Sequence, residues 1–405
     1  MRTLDTLAGA GALLVVVAAA LPAQSGLDLT IDHYGIAIGD VPRVNGIRFN
    51  YRDRNLEEVN GANITVWSPI ESSGVVNGLA IGLPLTGADR ISGIATGLFG
   101  AGADESISGI GVAPIGLGAG DRLTGIMVGG VGVGAGGRAE GILVGGIGAG
   151  TGGGMRGLTI AGIGAGSGGD IEGITIAGIG AGGGGSVRGL TVGGIGVGSG
   201  GRVSGISVGG FGVGAGGGLR GLSVGGIGVG SGGDVSGMTV GGVGVGSGGD
   251  VTGITIGGVG VGAGGDVTGI TASLVGIGSG GRVYGLTVAG IGAGAGTELR
   301  GVTIAGIGAG SPRLRGATIA GLLAGGEDVG GLVIAGAQVR IDNDGIHRAA
   351  SVSASNYIKG EQRGLTIGLF NYARELQGLQ VGLINVAGNK QGFGRILPIA
   401  NWHRD

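Results

Sequence analysis

The sequence predicts an all-β fold, a β-solenoid similar to a parallel β-helix, built from Gly-rich coils of about 16 residues. Three observations predict it: a Gly that recurs every 16 residues from Gly109 to Gly301, aliphatic residues grouped around Gly pairs, and charges confined to one part of each repeat. The spacing shortens to 15 on to Gly316 and Gly331, as expected of atypical terminal repeats. We call this recurring residue the anchor Gly.

Composition excludes several classes of protein. The chain has 405 residues, of which 114 are Gly and 7 are Pro, and Gly does not recur at every third position as collagen requires. A hydrophobic fraction of 42% argues against a disordered Gly-rich linker. The chain has no Cys, which excludes disulfides and thiolate metal sites. A formal net charge of -2 gives no electrostatic reason to expect nucleic-acid binding.

The coil at residues 251–265 illustrates how the side chains are expected to point. Ile254 and Ile256 share one parity, whereas Val259 and Val261 share the other, and a Gly pair separates them. A straight strand would place the two pairs on opposite faces. A turn at the Gly pair would instead point all four inward. Two short edges and a third, looser one then suggest a triangular section.

The remaining positions of this coil follow from that orientation. Val251 supplies a fifth inward column, while Thr255 and its equivalents form an outward Thr/Ser column suited to a strand. Gly260 leaves a bare outer face on the second strand. From Arg138 to Arg300, charged residues fall within three positions before the anchor Gly, so one ridge carries mixed charges, including a file that runs from Asp234 to Asp266.

The amino-terminal segment has the pattern of an export signal. Arg2 precedes an apolar run from Leu7 to Leu21, and small residues surround Ala23. The run of about 15 residues is shorter than the roughly 20 that a membrane span needs, although an uncleaved anchor is the alternative. The predicted location is outside the cytoplasm: the cell surface, the outer membrane, the periplasm or the medium.

The chain is expected to have five segments. They are a signal peptide (1–23), an N-terminal cap with the first irregular coils (24–77), the solenoid of 16-residue repeats (78–336), an irregular insertion (337–363), and C-terminal repeats with a cap (364–405).

Motifs with chemical meaning are better explained by the repeat. Gly-x-Gly-x-x-Gly, as at 244–249, occurs in coil after coil, whereas a dinucleotide fold uses it once. The Gly-x-Ser-x-Gly matches at Ser207 and Ser223 lie where other coils place Thr. Asp follows Gly pairs every 16 residues, not on the nine-residue rhythm of calcium rolls. Two further pairs are interpreted as scattered polar residues of the capping regions: Asp32 with His33, and Asp344 with His347.

We therefore predict no catalytic, cofactor-binding or metal-binding residues and no enzymatic activity. Neither nucleic acid nor a small-molecule substrate is an expected partner. An envelope or surface polymer, or a second copy contacted through the Gly-rich faces, fits better.

The carboxy-terminal segment repeats a distinct pattern, GLTIGLFN, LQGLQVGLINVAGN and GRILPIAN. Its Asn371, Asn385 and Asn401 are predicted to stack as an Asn ladder. Residues 360–402 resemble the carboxy-terminal repeats of the bacterial surface repeat-containing proteins of the leptospiral type. The resemblance implies an exported, envelope-associated protein and carries over no catalytic residue.

Three classes of function remain. Repeat regularity favours a non-catalytic exported structural or surface protein of the bacterial envelope, acting as a rigid rod or interaction scaffold. One alternative is an outer-membrane β-barrel with each repeat as one strand, although a change of parity within each repeat and 3% aromatic residues argue against it. The other is a flat-face binder of polysaccharide or ice through the Thr column.

Overall fold

The computed structural model describes residues 26–69 and 73–403, so the predicted signal peptide lies outside the described residues. These residues form an all-β parallel solenoid of about 21 turns, with one short 3-10 helix, η1 (Gly392–Arg395). The fold class predicted from the Gly period is confirmed. The chain divides into two compact units, one ending at Gly178 and one starting at Ile179.

The first unit begins with a hairpin and continues as stacked turns. Its described strands are β1 (Leu27–Ile31), β2 (Tyr34–Ile38), β3 (Arg43–Asn50), β4 (Glu58–Thr65), β5 (Val75–Gly82), β6 (Leu85–Gly97), β7 (Gly100–Ala113), β8 (Gly116–Ala119), β9 (Arg122–Gly129), β10 (Gly132–Ala135), β11 (Arg138–Gly145), β12 (Gly148–Thr151), β13 (Gly154–Ala161), β14 (Gly164–Ser167) and β15 (Asp170–Ala177). β1 pairs antiparallel with β2, and all later pairings described within this unit are parallel. From β8 onward, short and long strands alternate along the chain.

The second unit continues this alternation and ends in a reversed strand. Its described strands are β16 (Gly180–Gly183), β17 (Val187–Gly193), β18 (Gly196–Ser199), β19 (Arg202–Gly209), β20 (Gly212–Ala215), β21 (Gly218–Gly225), β22 (Gly228–Ser231), β23 (Val235–Gly241), β24 (Gly244–Ser247), β25 (Val251–Gly257), β26 (Gly260–Ala263), β27 (Val267–Ser273), β28 (Gly276–Ser279), β29 (Arg282–Ala289), β30 (Gly292–Ala295), β31 (Glu298–Ala305), β32 (Gly308–Gly310), β33 (Arg313–Ala320), β34 (Leu323–Ala335), β35 (Gln338–Val352), β36 (Ser355–Gln362), β37 (Leu365–Leu376), β38 (Leu379–Ala387) and β39 (Ile396–Trp402). Strands β34 to β38 stack in parallel with local register shifts, and β39 pairs antiparallel with β38.

Two strands make up each regular turn. Each strand pairs in register with its equivalent one repeat away, as Gly253 does with Gly237 and Gly269. The regular turns of the described residues contain no third strand, so the triangular section is not confirmed.

The anchor Gly sets the register of the stack. Gly253 has a φ of +115°, and a Cβ on it would lie 2.1 Å from the carbonyl oxygen of Gly237. An L side chain disfavours that conformation and would collide with the neighbouring turn. A Gly at this position in each turn from Gly46 to Gly331 therefore keeps the long strands aligned.

The side chains of the long strand point opposite to the prediction. Thr255 is only 1% exposed and lies inside, whereas Ile254 and Ile256 are 38% and 46% exposed and point outward. The equivalent Thr and Ser residues from Thr159 to Thr318 are all buried. The predicted inward Ile pair and outward Thr column are therefore wrong.

The corner and the short strand follow the prediction in part. Val251 and Val261 are buried as expected, but Val259 is 49% exposed at the corner. The inward residues of the coil all have odd numbers, before and after the turn at the Gly pair. The Gly pair instead turns the chain so that Val259 is directed away from the interior.

Close packing at the corner accounts for part of this arrangement. A Cβ on the inward-facing Gly257 would lie 2.2 Å from the carbonyl oxygen of Gly260, three residues further along the chain. Because alternate residues of a strand share a face, Thr255 lies on the same inner face as Gly257. Away from the corner the interior holds larger side chains, since Met127 and Leu143 are buried in the Thr column.

Candidate functional surfaces

Three columns of large aliphatic side chains cover one side of each unit. They lie one, three and six positions after the anchor Gly, and we call them the aliphatic band. In the first unit, its exposed members are Ile94, Ile110, Ile126, Ile142, Ile174, Val112, Ile160, Ile176, Phe99, Ile115, Val131, Ile147 and Ile163. In the second unit, they are Ile206, Met238, Ile254, Ile270, Leu286, Val302, Leu332, Ile256, Val288, Ile304, Ile319, Ile179, Ile195, Phe211, Ile227, Val243, Val259, Val275, Ile291, Ile307 and Leu322.

The short strands present a face without side chains. Gly260 and Gly262 of β26 point outward, as predicted, and their equivalents do so in neighbouring turns. A Cβ on Gly262 would have no heavy atom within 4 Å, and the same is true of Gly246 and Gly278. At these positions, unlike at the anchor Gly, neither the backbone conformation nor a close contact requires Gly.

A charged ridge lies just before the anchor Gly, and its Asp file is held by backbone hydrogen bonds. The N–H of Asp250 donates to Asp234 Oδ1 at 3.0 Å, and the N–H of Asp266 donates to Asp250 Oδ1 at 2.7 Å. Arg282 ends the file, donating to Asp266 through its backbone N–H at 2.7 Å and its Nε at 3.2 Å. Hydrogen bonds to the charged carboxylates offset the repulsion between stacked Asp residues.

The predicted Asn ladder is present at the carboxy-terminal end. Asn371 Nδ2 donates to Asn385 Oδ1 at 2.8 Å, and Asn401 Nδ2 reaches the backbone oxygen of Asn385 at 3.4 Å. Asn356 extends the ladder, donating to Asn371 Oδ1 at 2.7 Å. All four side chains are buried. The amides of Asn356, Asn371 and Asn385 bond to one another from turn to turn, whereas Asn401, in register with Gln380, contacts Asn385 only at its backbone.

An open apolar depression of about 510 Å³ lies beside this ladder. Its walls include Ile367, Leu369, Val381, Leu383 and Ile399. It continues the aliphatic character of the outer surface and brings no titratable group together.

A second buried polar cluster lies in the amino-terminal turns. Asp53 accepts hydrogen bonds from Arg48, from Asn63 Nδ2 at 3.1 Å and from Thr65 Oγ1 at 2.7 Å. Arg48 Nε also donates to the backbone oxygen of Val41 at 2.9 Å. Arg48 and Asp53 are fully buried. Arg48 Nη2 has no hydrogen-bond partner but lies 3.7 Å from Asp40 Oδ1. Because Arg48 is paired with acidic side chains, this cluster is a structural ion pair of the first turns.

His347 occupies the inner column of β35, in register between Val329 and Gln362. Neither ring nitrogen has a side-chain partner. Burial lowers the pKa of His347 from 6.5 to about 4, although a contact with its own backbone opposes the shift. The imidazole is therefore neutral at pH 7.

This burial predicts an acid-sensitive carboxy-terminal end. Between pH 6.5 and about 4 the unfolded chain binds a proton at His347 that the folded chain does not. The stabilisation by the neutral ring is therefore fully present above pH 6.5, the pKa of this group in the unfolded chain. It is lost as the pH falls from 6.5 to about 4, which lowers the free energy of unfolding by about 3 kcal/mol. Urea unfolding of the wild type and of His347→Leu at pH 7 and pH 4 measures this loss of stability.

The control for this prediction is His33→Asn, at an exposed turn with a φ of +67° that Asn tolerates. We expect His347→Leu to lose part of the acid sensitivity and His33→Asn to retain it. Equal acid sensitivity in the wild type and His347→Leu would contradict the assignment.

The structure separates the residues of the chemical motifs. Ser207 and Ser223 are 1% and 3% exposed, inside the solenoid in the Thr column. Asp32 and His33 form the turn between β1 and β2. Asp344 is exposed and pairs with Arg374, whereas His347 is buried.

Three structural facts bear on the other hypotheses. Within residues 26–69 and 73–403, no group of three or more His, Asp or Glu is arranged to hold a metal ion. Among the same residues, no helix has the length and hydropathy to cross a bilayer. The Thr column is buried and so offers no face to polysaccharide or ice.

Comparisons with protein-family models, curated proteins and solved structures find no match to this chain. The resemblance of residues 360–402 to leptospiral-type surface repeats therefore stays a prediction.

The aliphatic band is the feature that sequence reasoning missed. Its signal was the small residue two positions after each Thr of the column, Gly257 after Thr255 and Ala289 after Thr287. A small residue at a strand position indicates a close approach of another part of the backbone.

Proposed function

We propose that the chain is an exported, non-catalytic structural repeat protein of the bacterial envelope that acts as an interaction scaffold. The observation that carries this proposal is the repetition of the outer surface: each regular turn presents the same types of residue at the same positions, in register with its neighbours. Such a surface offers many equivalent contacts to an extended partner. An envelope or surface polymer is the partner class that this repetition suits.

Sealed ends support the same proposal. Antiparallel pairing of β1 with β2 and of β38 with β39 covers the two open edges that a stack of parallel turns would leave. Covered edges prevent uncontrolled edge-to-edge growth. A scaffold that works outside the cell benefits from this protection.

The export step is tested by fusing residues 1–30 to a reporter phosphatase that is active only outside the cytoplasm. We expect activity from this fusion and loss of it when Leu14→Arg and Val16→Arg interrupt the apolar run. For the full chain, mass spectrometry of the exported protein is expected to find an amino terminus near Gln24 or Ser25. An intact chain retained in the cytoplasm would refute the proposal.

A further inference from the structure

The second unit is amphipathic around its circumference. On the outer face of β25, the polar Thr252 is followed by the exposed aliphatics Ile254 and Ile256, and Val259 extends the aliphatic surface around the corner. Charged residues border this surface where the long strand begins: Asp250 directly precedes β25, and Arg220 of β21 occupies the register position of Thr252. The same order recurs in neighbouring turns, so a charged ridge flanks the aliphatic columns of this unit.

The aliphatic side is large. Its members in the second unit are between 38% and 57% exposed. Three such side chains present on the order of 200 Å² of apolar surface per turn, so ten turns present on the order of 2,000 Å². That is several times the largest apolar patch of a typical soluble monomer, about 300–600 Å². A surface of this kind is expected to be covered by a partner.

The composition of the band favours hydrocarbon over another protein surface. Its members in the second unit are Ile, Leu, Val, Met and one Phe, with no hydrogen-bonding side chain. Protein interfaces carry about one hydrogen bond per 100–200 Å² and are enriched in Tyr, Trp and Arg. An area on the order of 2,000 Å² per partner is within the range of large obligate protein interfaces, so it is the lack of hydrogen-bonding side chains that favours hydrocarbon.

The backbone beneath the band also suits an apolar medium. The long strands from β19 to β33 pair on both sides with the turns before and after them. Their N–H and C=O groups are therefore satisfied within the stack and need no water. The adjoining glycines, such as Gly260 and Gly262, bring no polar side chain to this side.

We propose that the aliphatic band of the second unit docks onto the hydrocarbon surface of a lipid layer, with the charged ridge turned toward water. The interaction is that of an interfacial protein whose apolar face enters the boundary between headgroups and acyl chains. It goes beyond the scaffold role and does not depend on the route of export. Because the band carries no charge, neutral lipids are sufficient for binding.

Two variants of the full chain, each with one introduced Trp, test the orientation. In a background where the exposed Trp67 and Trp402 are replaced by Phe, Ile256→Trp places a reporter in the band, and Thr252→Trp places one beside it on the same strand. Phosphatidylcholine vesicles with brominated acyl chains are expected to quench the fluorescence of the Ile256→Trp variant several-fold more strongly than that of the Thr252→Trp variant. Circular dichroism confirms that both variants are folded, since both positions point outward.

Flotation with neutral phosphatidylcholine vesicles tests the band itself. Ile254→Thr, Ile256→Thr and Ile270→Thr together are expected to lower the floating fraction several-fold, because they keep strand-forming residues but remove apolar surface. The matched control, Arg202→Gln with Arg220→Gln on the charged ridge, is expected to float like the wild type.

Three outcomes overturn the proposal. They are equal quenching of the two reporter variants, no flotation of the wild type, and a stable dimer in sedimentation that neither floats nor is quenched. The last would assign the band to a second copy of the chain. None of these outcomes depends on the export of the protein, so failure here is distinguishable from failure of the proposed function.

Discussion

Gly253→Ala is expected to destabilise the second unit by about 3 kcal/mol or more, which would be among the largest effects of adding a single methyl group. The φ of +115° strains any L residue, and the new Cβ would lie 2.1 Å from the carbonyl oxygen of Gly237. That oxygen belongs to the backbone of the neighbouring turn, which pairs with the long strand over its whole length. Relief of the clash would therefore require displacement of a complete turn.

Gly262→Ala is the matched control, because it adds the same methyl group further along the same coil, on the short strand. Its Cβ would meet no heavy atom within 4 Å, and its φ lies outside the left-handed region. We expect a neutral effect, or a stabilisation of about 0.4–1 kcal/mol from reduced entropy of the unfolded chain. Urea midpoints of both variants measure the difference, and equal losses of stability would contradict the assigned role of the anchor.

The contrast between these glycines explains why the period was predictable and its details were not. The anchor Gly recurs with a fixed spacing, and that spacing alone defines a stacked turn. The roles of individual glycines depend on what lies next to them in other turns. Gly253 and Gly262 are both single glycines between larger residues of a repeat. They differ in the positive φ of Gly253 and in the carbonyl oxygen that lies beside it.

The orientation of the long strand was predicted wrongly for a related reason. Thr255 and Ile256 are both good strand residues, so local preference did not distinguish their faces. Hydrophobicity favoured Ile256 inside, but the tight corner requires a small residue at the inner position of Gly257, and Thr255 shares its face. Packing at a corner is a tertiary property that a single repeat does not reveal.

The polar features at the two ends were predictable only where they repeat. Asn371, Asn385 and Asn401 recur in similar sequence contexts, so a ladder could be expected. It is present between Asn371 and Asn385, whereas Asn401 contacts Asn385 only at its backbone. Asn356 joins from a stretch with no visible period. The buried pair of Arg48 and Asp53 follows no repeat, and its members meet only through the stacking of irregular turns.

Val261→Asp and Val259→Asp are expected to differ by several kcal/mol, although the same substitution is made two residues apart. Val261 is 3% exposed inside the coil, and no cationic side chain recurs in its column, so an Asp there costs about 3–5 kcal/mol. Val259 is 49% exposed at the corner, so Val259→Asp is expected to change stability by about 0.5 kcal/mol or less. Urea unfolding in the absence of lipid compares them.

The same pair separates folding from docking. Because Val259 belongs to the aliphatic band, Val259→Asp is expected to remain folded yet to float less well with neutral vesicles than the wild type. If Val259→Asp is destabilised by several kcal/mol in the absence of lipid, Val259 lies in the interior, as the sequence pattern predicted. If Val259→Asp changes neither stability nor flotation, Val259 is outside the coil interior but does not belong to the lipid-facing surface.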